Sequence, residues 1–205
     1  MKNSYIIALV SLLLIISSCK TNTENNSSKE TVITEEVETT TIDDSQIEIS
    51  TPAGDKIGGF ALNPLKINVG GNTYTSKTKP GKHKFYTNGT MVYEIKLKGE
   101  GFKLRDENSN LLWKIKVYPD KIKISDNEEN QNAFEIKNKE GKIKIKKNEE
   151  ELYRVQFNAS FVVANDTAIY QLSSDQDYYG YAILAIKEIP EEQRMFILAG
   201  LIEQL

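Results

Sequence analysis

Residues 102–117, FKLRDENSNLLWKIKV, decide the fold. Apolar and charged residues alternate on both sides of a polar stretch, DENSN at 106–110. A period of two is typical of a strand with one buried face, and Asp, Asn and Ser between two such strands favour a turn. The stretch therefore predicts an antiparallel hairpin with Leu, Ile and aromatic side chains on one face and mostly Lys on the other.

The same phrase recurs along the chain at intervals of about twenty residues. KIKI at 121–124 and at 142–145 repeats the first strand, whereas AFEIK at 133–137 and LYRVQ at 152–156 repeat the second. An isolated hairpin is marginal in water, so several hairpins must share one core. The repeats therefore predict a meander of paired strands.

The C-terminal part is largely apolar and does not alternate apolar with charged residues. YYGYAILAIKEI at 178–189 predicts one more strand, apolar on both faces. Pro190 and the two acidic residues after it predict a helix start, and RMFILAGLIEQL at 194–205 leaves almost no polar face. A helix that is apolar all round is buried or lies in a membrane, and about a dozen residues cannot cross a bilayer. We therefore expect a buried helix at 191–205.

Together these elements predict a mainly β domain over residues 65–205. It is expected to be an antiparallel hairpin-repeat β-barrel, or a strongly curled sheet, around the C-terminal helix. With its repeated hairpin phrase and terminal apolar helix, the segment resembles the tubby C-terminal-like superfamily, which includes LURP-one-related and phospholipid scramblase-like proteins. The resemblance implies a sheet closed around a central helix. It carries no phosphoinositide site to this chain, and an ordinary curled sheet plugged by a helix is the alternative.

Residues 1–18 are predicted to be a lipoprotein signal peptide. Lys2 precedes YIIALVSLLLII at 5–16, which is too short to span a bilayer as a helix. The run ends in Ile-Ser-Ser-Cys at 16–19, which resembles the lipobox of bacterial lipoproteins. The resemblance implies a multi-acylated Cys19 that anchors the chain, and Lys20 after it implies the outer membrane of a bacterial cell envelope. An ordinary signal followed by a stray Cys is the alternative.

Residues 19–64 are interpreted as the lipidated Cys and a disordered acidic tether. Residues 20–64 hold three Lys against nine acidic residues, a net charge of −6, and aromatic residues are nearly absent before Phe60. Such a composition buries too little apolar surface to offset chain entropy. A transient strand could form from the apolar residues of this stretch, but the sequence offers no nearby partner strand: Val32, Ile33, Val37, Ile42, Ile47 and Ile49. The tether is therefore expected to lie outside the folded domain.

The remaining charge is unevenly distributed. Residues 66–154 hold 20 basic against 13 acidic residues, a net charge of +7, whereas 155–205 hold two against seven, a net charge of −5. Lysines on exposed strands deter sheet aggregation, and they also suit an anionic lipid or polysaccharide. The alternation places the following basic residues on outward faces as a candidate anionic-ligand patch: Lys96, Lys98, Lys103, Arg105, Lys114, Lys116, Lys121, Lys123, Lys142, Lys144 and Lys146.

The sequence contains no recognisable catalytic constellation. His83, the only His, lies in a basic turn and is expected at the surface, and the only Cys is assigned to the anchor. We therefore expect no catalytic residue, metal or cofactor. Nucleic acid is not expected as a partner, because the aromatic residues of the strands face inward.

The expected role is that of a monomeric, membrane-anchored envelope lipoprotein that presents a non-enzymatic binding or structural module. In the alternative, a lipid-handling module binds anionic headgroups through the basic face. An enzyme of unknown chemistry is a third class.

The first prediction concerns the anchor. Cys19→Ala should leave the protein unprocessed or unanchored, because the lipobox-like ending then lacks its acceptor thiol. Metabolic labelling with a clickable fatty acid measures this, and equal label on wild type and variant would contradict it.

Overall fold

The computed structural model describes residues 46–204, which contain fourteen β-strands, one 3₁₀ helix and one α-helix. The strands are Gln46–Ser50 (β1), Lys56–Leu62 (β2), Leu65–Val69 (β3), Asn72–Lys79 (β4), Lys82–Thr87 (β5), Thr90–Leu97 (β6), Gly101–Asp106 (β7), Leu111–Tyr118 (β8), Lys121–Ser125 (β9), Phe134–Lys139 (β10), Lys142–Lys147 (β11), Glu150–Asn158 (β12), Phe161–Ala164 (β13) and Thr167–Leu172 (β14). The 3₁₀ helix spans Tyr179–Ala185, and the α-helix α1 spans Glu191–Ile202. The signal peptide, Cys19 and the linker up to residue 45 lie outside the described residues.

The strands form one closed antiparallel barrel in which each strand pairs with the next along the chain. Closure is made by β1, which pairs with β2 on one side and with β14 on the other. The register at the closing pair joins Ile49 to Leu172 and Ser50 to Gln171. The prediction of a mainly β antiparallel barrel with a C-terminal helix is confirmed, and of its two forms the structure has the closed barrel.

The predicted boundary at residue 65 is wrong, because β1 and β2 lie within the stretch assigned to the tether. Ile49 and Phe60 of these strands are fully buried in the core. β1 has a local partner in β2, where Ile49 is paired with Gly58. Its other partner is β14, more than a hundred residues further along the chain. The backbone amide of Glu48 also donates to the Ser173 hydroxyl over 3.1 Å. The sequence of β2, KIGGFAL, does not alternate apolar and charged residues, so periodicity did not reveal this neighbouring strand.

The extra strand predicted at 178–189 is also wrong. This segment contains the 3₁₀ helix Tyr179–Ala185, of which residues 180–185 are buried. Its lack of alternation fits this outcome, since a barrel strand needs one outward polar face. Because β1 already closes the sheet against β14, the segment instead packs inside, against β10–β13 and against α1.

Helix α1 fills the interior beside the 3₁₀ helix, and its predicted burial is confirmed. It ends at Ile202, three residues before the predicted end. Phe196 is fully buried, and its ring centroid lies 4.5–5.1 Å from those of Tyr74, Phe85 and Tyr93 of the wall. Gly200 permits a close approach to the wall, because a Cβ there would lie 2.8 Å from the ring of Phe102.

The polar residues at the start of α1 are held by aromatic side chains of the wall. The hydroxyls of Tyr74 and Tyr93 donate to the Glu192 carboxylate over 2.9 and 2.6 Å, and the Trp113 indole donates to the Gln193 side chain over 2.6 Å. Burial, together with the neighbouring Glu192 carboxylate, raises the pKa of Tyr74 to about 12. The tyrosines therefore remain protonated donors at neutral pH. Their hydrogen bonds fix both the rotation of α1 about its own axis and its position along the barrel.

The second prediction concerns the N-terminal boundary. A chain that begins at Leu65 lacks β1 and β2, so it loses two core side chains worth about 1.5–3 kcal/mol each and leaves β3 and β14 as open edges. The free energy of unfolding of a domain is only about 5–15 kcal/mol in total. We therefore expect the cooperative thermal transition to disappear or to move to a much lower temperature. A chain that begins at Gln46 should melt like the full-length protein. Circular dichroism melts measure both, and an unchanged transition in the shorter chain would contradict the closed barrel.

Candidate anion-binding surface

Five lysines occupy directly paired outward positions on five successive strands. The register pairs Lys79 with Lys82, Lys82 with Lys96, Lys96 with Lys103, and Lys103 with Lys114. We call these five residues, which belong to β4–β8, the lysine row. With strands about 4.8 Å apart, the row extends over about 19 Å of the barrel wall.

Like charges placed directly opposite each other on paired strands destabilise a sheet. The segment 72–118 that contains the row holds ten basic and four acidic residues, a net charge of +6. The buried Glu94 carboxylate lies 3.5 Å from the Lys82 ammonium and 3.8 Å from that of Lys84. Among the described residues, the exposed Lys79 and Lys96 form no ion pair. The row is therefore only partly neutralised by the strands that carry it.

The charges of the adjoining strands β9–β12 are more nearly balanced. Lys121, Lys137, Lys144 and Arg154 form a second paired series across β9–β12. Glu135 lies 2.7 Å from the ammonium groups of both Lys123 and Lys137. On these strands an acidic residue thus sits between the basic ones.

Glu151 is a second carboxylate that lies between basic residues of β11 and β12. Glu151 pairs with Lys144 over 2.6 Å and with Arg154 over 2.5 Å. Hydrogen bonds from these two cations lower the pKa of Glu151 to about 2, so it remains ionised at neutral pH. The second series therefore has counter-ions on its own strands at Lys137, Lys144 and Arg154.

The predicted patch thus runs across neighbouring strands of the barrel, and Lys116 of β8 joins its two parts because it pairs directly with Lys123 of β9. Ten of its eleven residues lie in strands, and Lys98 directly follows β6. Lys96, Lys103 and Lys114 belong to the lysine row, with Arg105 beside them on β7. The remaining patch residues lie on β9, which adjoins β8, and on β11: Lys121, Lys123, Lys142, Lys144 and Lys146.

Sequence reasoning missed Lys79 and Lys82, which complete the row. Both flank a Pro-Gly dipeptide at 80–81 and lie opposite each other across that turn. The signal was present, because Pro-Gly between two strands marks a tight turn and so pairs the residues on either side of it.

His83 is buried, with 4% of its surface exposed, so the expectation of a surface residue is wrong. Its Nδ1 lies 3.0 Å from the Thr78 hydroxyl, and its Nε2 lies 3.0 Å from the Glu203 carboxylate just after α1. Burial raises the pKa of Glu203, and electrostatic attraction to His83 works against that rise. Sequence alone could not show this contact, because its partner comes from a helix end 120 residues away.

Two grooves accompany these features. One, of about 830 Å³, lies over β11 and β12 and is lined by Lys144, Arg154 and Phe157 among others. The other, of about 610 Å³, lies at one end of the barrel and is lined by Tyr118, Tyr178 and Tyr179 among others. Neither groove includes a residue of the lysine row.

Within residues 46–204, no group of three or more His, Cys, Asp or Glu side chains is arranged to hold a metal ion. No helix in that range is long and apolar enough to cross a membrane. The sequence-based expectation that the chain lacks catalytic residues stays a prediction.

A comparison with family models, with curated proteins and with solved structures finds no match for this chain. The resemblance to tubby-like proteins therefore stays a prediction that rests on the hairpin repeat and the terminal helix.

The third prediction concerns the neutralised strands β9–β12. Partial burial of Glu135 opposes its ionisation, but hydrogen bonds from Lys123 and Lys137 outweigh this and lower its pKa to about 2 from an ordinary 4.5. The ion pairs thus stabilise the fold above about pH 4.5, and this contribution is lost as pH falls toward about 2. Glu135→Gln should lower the free energy of unfolding by about 1 kcal/mol at pH 7 and by clearly less at about pH 2, where the Glu135 carboxyl is about half protonated.

Urea titrations of the full-length protein at both pH values measure this difference. Glu140→Gln is the control, because Glu140 is exposed and forms no ion pair within the described range. A loss for Glu135→Gln that is the same at both pH values would contradict the ion-pair interpretation.

Proposed function

We propose that this chain is a lipid-anchored lipoprotein of the bacterial cell envelope whose β domain is a non-enzymatic binding module for an anionic polysaccharide. The observation that carries the proposal is the lysine row, with five paired lysines across five adjacent strands. Anchorage rests on the lipobox-like sequence at Cys19, which lies outside the described residues.

Barrel closure weakens the competing explanation that the lysines deter aggregation. Lysines protect a sheet chiefly at an edge strand, where unpaired backbone groups invite another chain. Strands β4–β8 have a partner on both sides, and closure removes edges from the whole sheet. Repulsion between directly paired lysines destabilises the sheet, and away from any edge it brings no protection against aggregation. Binding of an anionic ligand explains these lysines better.

The shape of the row favours a flexible polymer over a bilayer. The row covers four of the fourteen strand intervals, or about 100° of the barrel circumference. A flat membrane touches only part of such a convex arc, whereas a linear polyanion can follow it. A polymer with regularly spaced carboxylates also meets several lysines at once, which raises its overall affinity.

The fourth prediction tests the row with polygalacturonate oligomers as the probe and the full-length protein in a neutral detergent. Lys79→Gln/Lys96→Gln should weaken binding about ten-fold or more, since each basic residue at an anionic surface is worth about 1 kcal/mol. Binding by the wild type should fall as salt rises from about 50 mM to about 300 mM. Isothermal titration calorimetry measures both effects, and chromatography of the recovered oligomer should show no shortened product.

The matched control is Lys66→Gln/Lys187→Gln, which changes the net charge equally at two exposed lysines outside the row. The control should change the affinity for polygalacturonate less than two-fold, because substitutions at ordinary surface positions have small effects. An equal loss of affinity in both double variants would mean that only the net charge of the protein matters, and would contradict the proposal. Binding to mixed micelles with phosphatidylglycerol but not to polygalacturonate would favour the lipid-handling alternative instead.

A further inference from the structure

One carboxylate already occupies the end of the lysine row. Glu128, on the loop between β9 and β10, receives hydrogen bonds from the Lys103 ammonium to both of its oxygens, over 2.7 and 2.6 Å. The Arg105 guanidinium lies 3.2 Å from one oxygen, and the Lys114 ammonium lies 3.8 Å from the other. Lys114 also donates to the backbone carbonyl of Glu128. Three cations from two neighbouring strands thus converge on one anion.

These three cations are held ready for an anion by the strands that carry them. Lys103 and Lys114 are directly paired across β7 and β8, and Arg105 follows two positions along β7. Their side chains are only 17–22% exposed. In the described part of the chain, Glu128 is the only carboxylate in ion-pair contact with any of them. Without it, three partly buried like charges would face one another, which makes the position a strong site for a small anion.

Glu128 is bound in a way that allows it to leave. Its side chain is 46% exposed, and exposed ion pairs are worth only about 0.2–1 kcal/mol each. The loop is held by other contacts: the Asn127 side chain bonds the backbone of Gln131 over 2.8 and 2.9 Å, and Ser125 donates to Asn130 over 2.9 Å. Rotation of the Glu128 side chain into solvent therefore leaves the loop hydrogen bonds in place.

We infer that Lys103, Arg105 and Lys114 form the primary anion subsite of this domain, and that Glu128 is a built-in ligand that a carboxylate of the polysaccharide displaces. This inference rests on the proposed function and names the site at which the polymer is first held. The incoming polymer has an advantage over the single Glu128 carboxylate, because its neighbouring carboxylates reach Lys96 and Lys82 at the same time. Glu128 thus sets a minimum affinity for binding at the subsite. A single small anion displaces Glu128 poorly, whereas a polyanion displaces it well.

The test compares Glu128→Gln with Glu129→Gln, which alters net charge equally on the same loop. Glu129 is exposed and forms no ion pair in residues 46–204. Freeing the subsite should raise the affinity of the full-length protein for polygalacturonate about five-fold to ten-fold, because apparent affinity scales with the fraction of competent sites. Glu129→Gln should change it less than two-fold. Calorimetry is repeated with inorganic phosphate, which Glu128→Gln should bind and Glu128→Gln/Lys103→Gln should not.

The two probes separate this inference from the proposed function. A gain of Glu128→Gln over Glu129→Gln, with either probe, supports the subsite. No difference between the two variants with both probes overturns it, even where the wild type binds the polymer. If polygalacturonate binds to no variant while Glu128→Gln takes up phosphate, the subsite stands and the polysaccharide function fails. Thermal melts show whether each variant is folded, and Glu128→Gln should melt somewhat lower than Glu129→Gln, because it leaves three neighbouring cations without their counter-ion.

Discussion

Burial of α1, which is apolar on every side from Met195 onward, is the constraint on which the rest of this structure depends. From Met195 to Ala199 every side chain of α1 is fully buried, so the helix needs apolar contacts all round, which a flat sheet on one side cannot supply. A closed barrel supplies them, with the 3₁₀ helix Tyr179–Ala185 covering the side that the wall does not reach. The bonds from Tyr74, Tyr93 and Trp113 then fix the helix within that barrel.

The same constraint determines the outer surface. Because strand side chains alternate, each apolar position turned toward the helix leaves a neighbouring position turned outward. In this chain the outward positions are largely lysines, and the register of a meander places many of them directly opposite one another. On the β9–β12 wall Glu135 and Glu151 offset the repulsion, whereas on β4–β8 Glu94 and the loop residue Glu128 offset only part of it. An inward packing requirement therefore produces an outward electrostatic surface that is available for recognition.

Prediction from sequence succeeded where the signal is local and regular. The hairpin at 102–117, the lysine alternation and the burial of the helix all follow from periodicity within a few residues. Prediction failed where a partner is distant in the chain, as for His83 and Glu203. It also missed the local pairing of β1 with β2, because the β2 segment KIGGFAL does not alternate. At Tyr179–Ala185, apolar composition alone could not distinguish a buried strand from a short helix.

The sequence by itself determined which faces are apolar, where the turns lie and that the final helix must be buried, because these depend on the alternation and composition of neighbouring residues. Only the tertiary structure decided that the sheet closes through β1, and which lysines become neighbours. Closure depends on contacts across more than a hundred residues, and the lysine row depends on register across five strands. The position of Glu128 over Lys103, Arg105 and Lys114 is decided in the same way, since a loop 14 to 25 residues further along the chain brings the carboxylate to them.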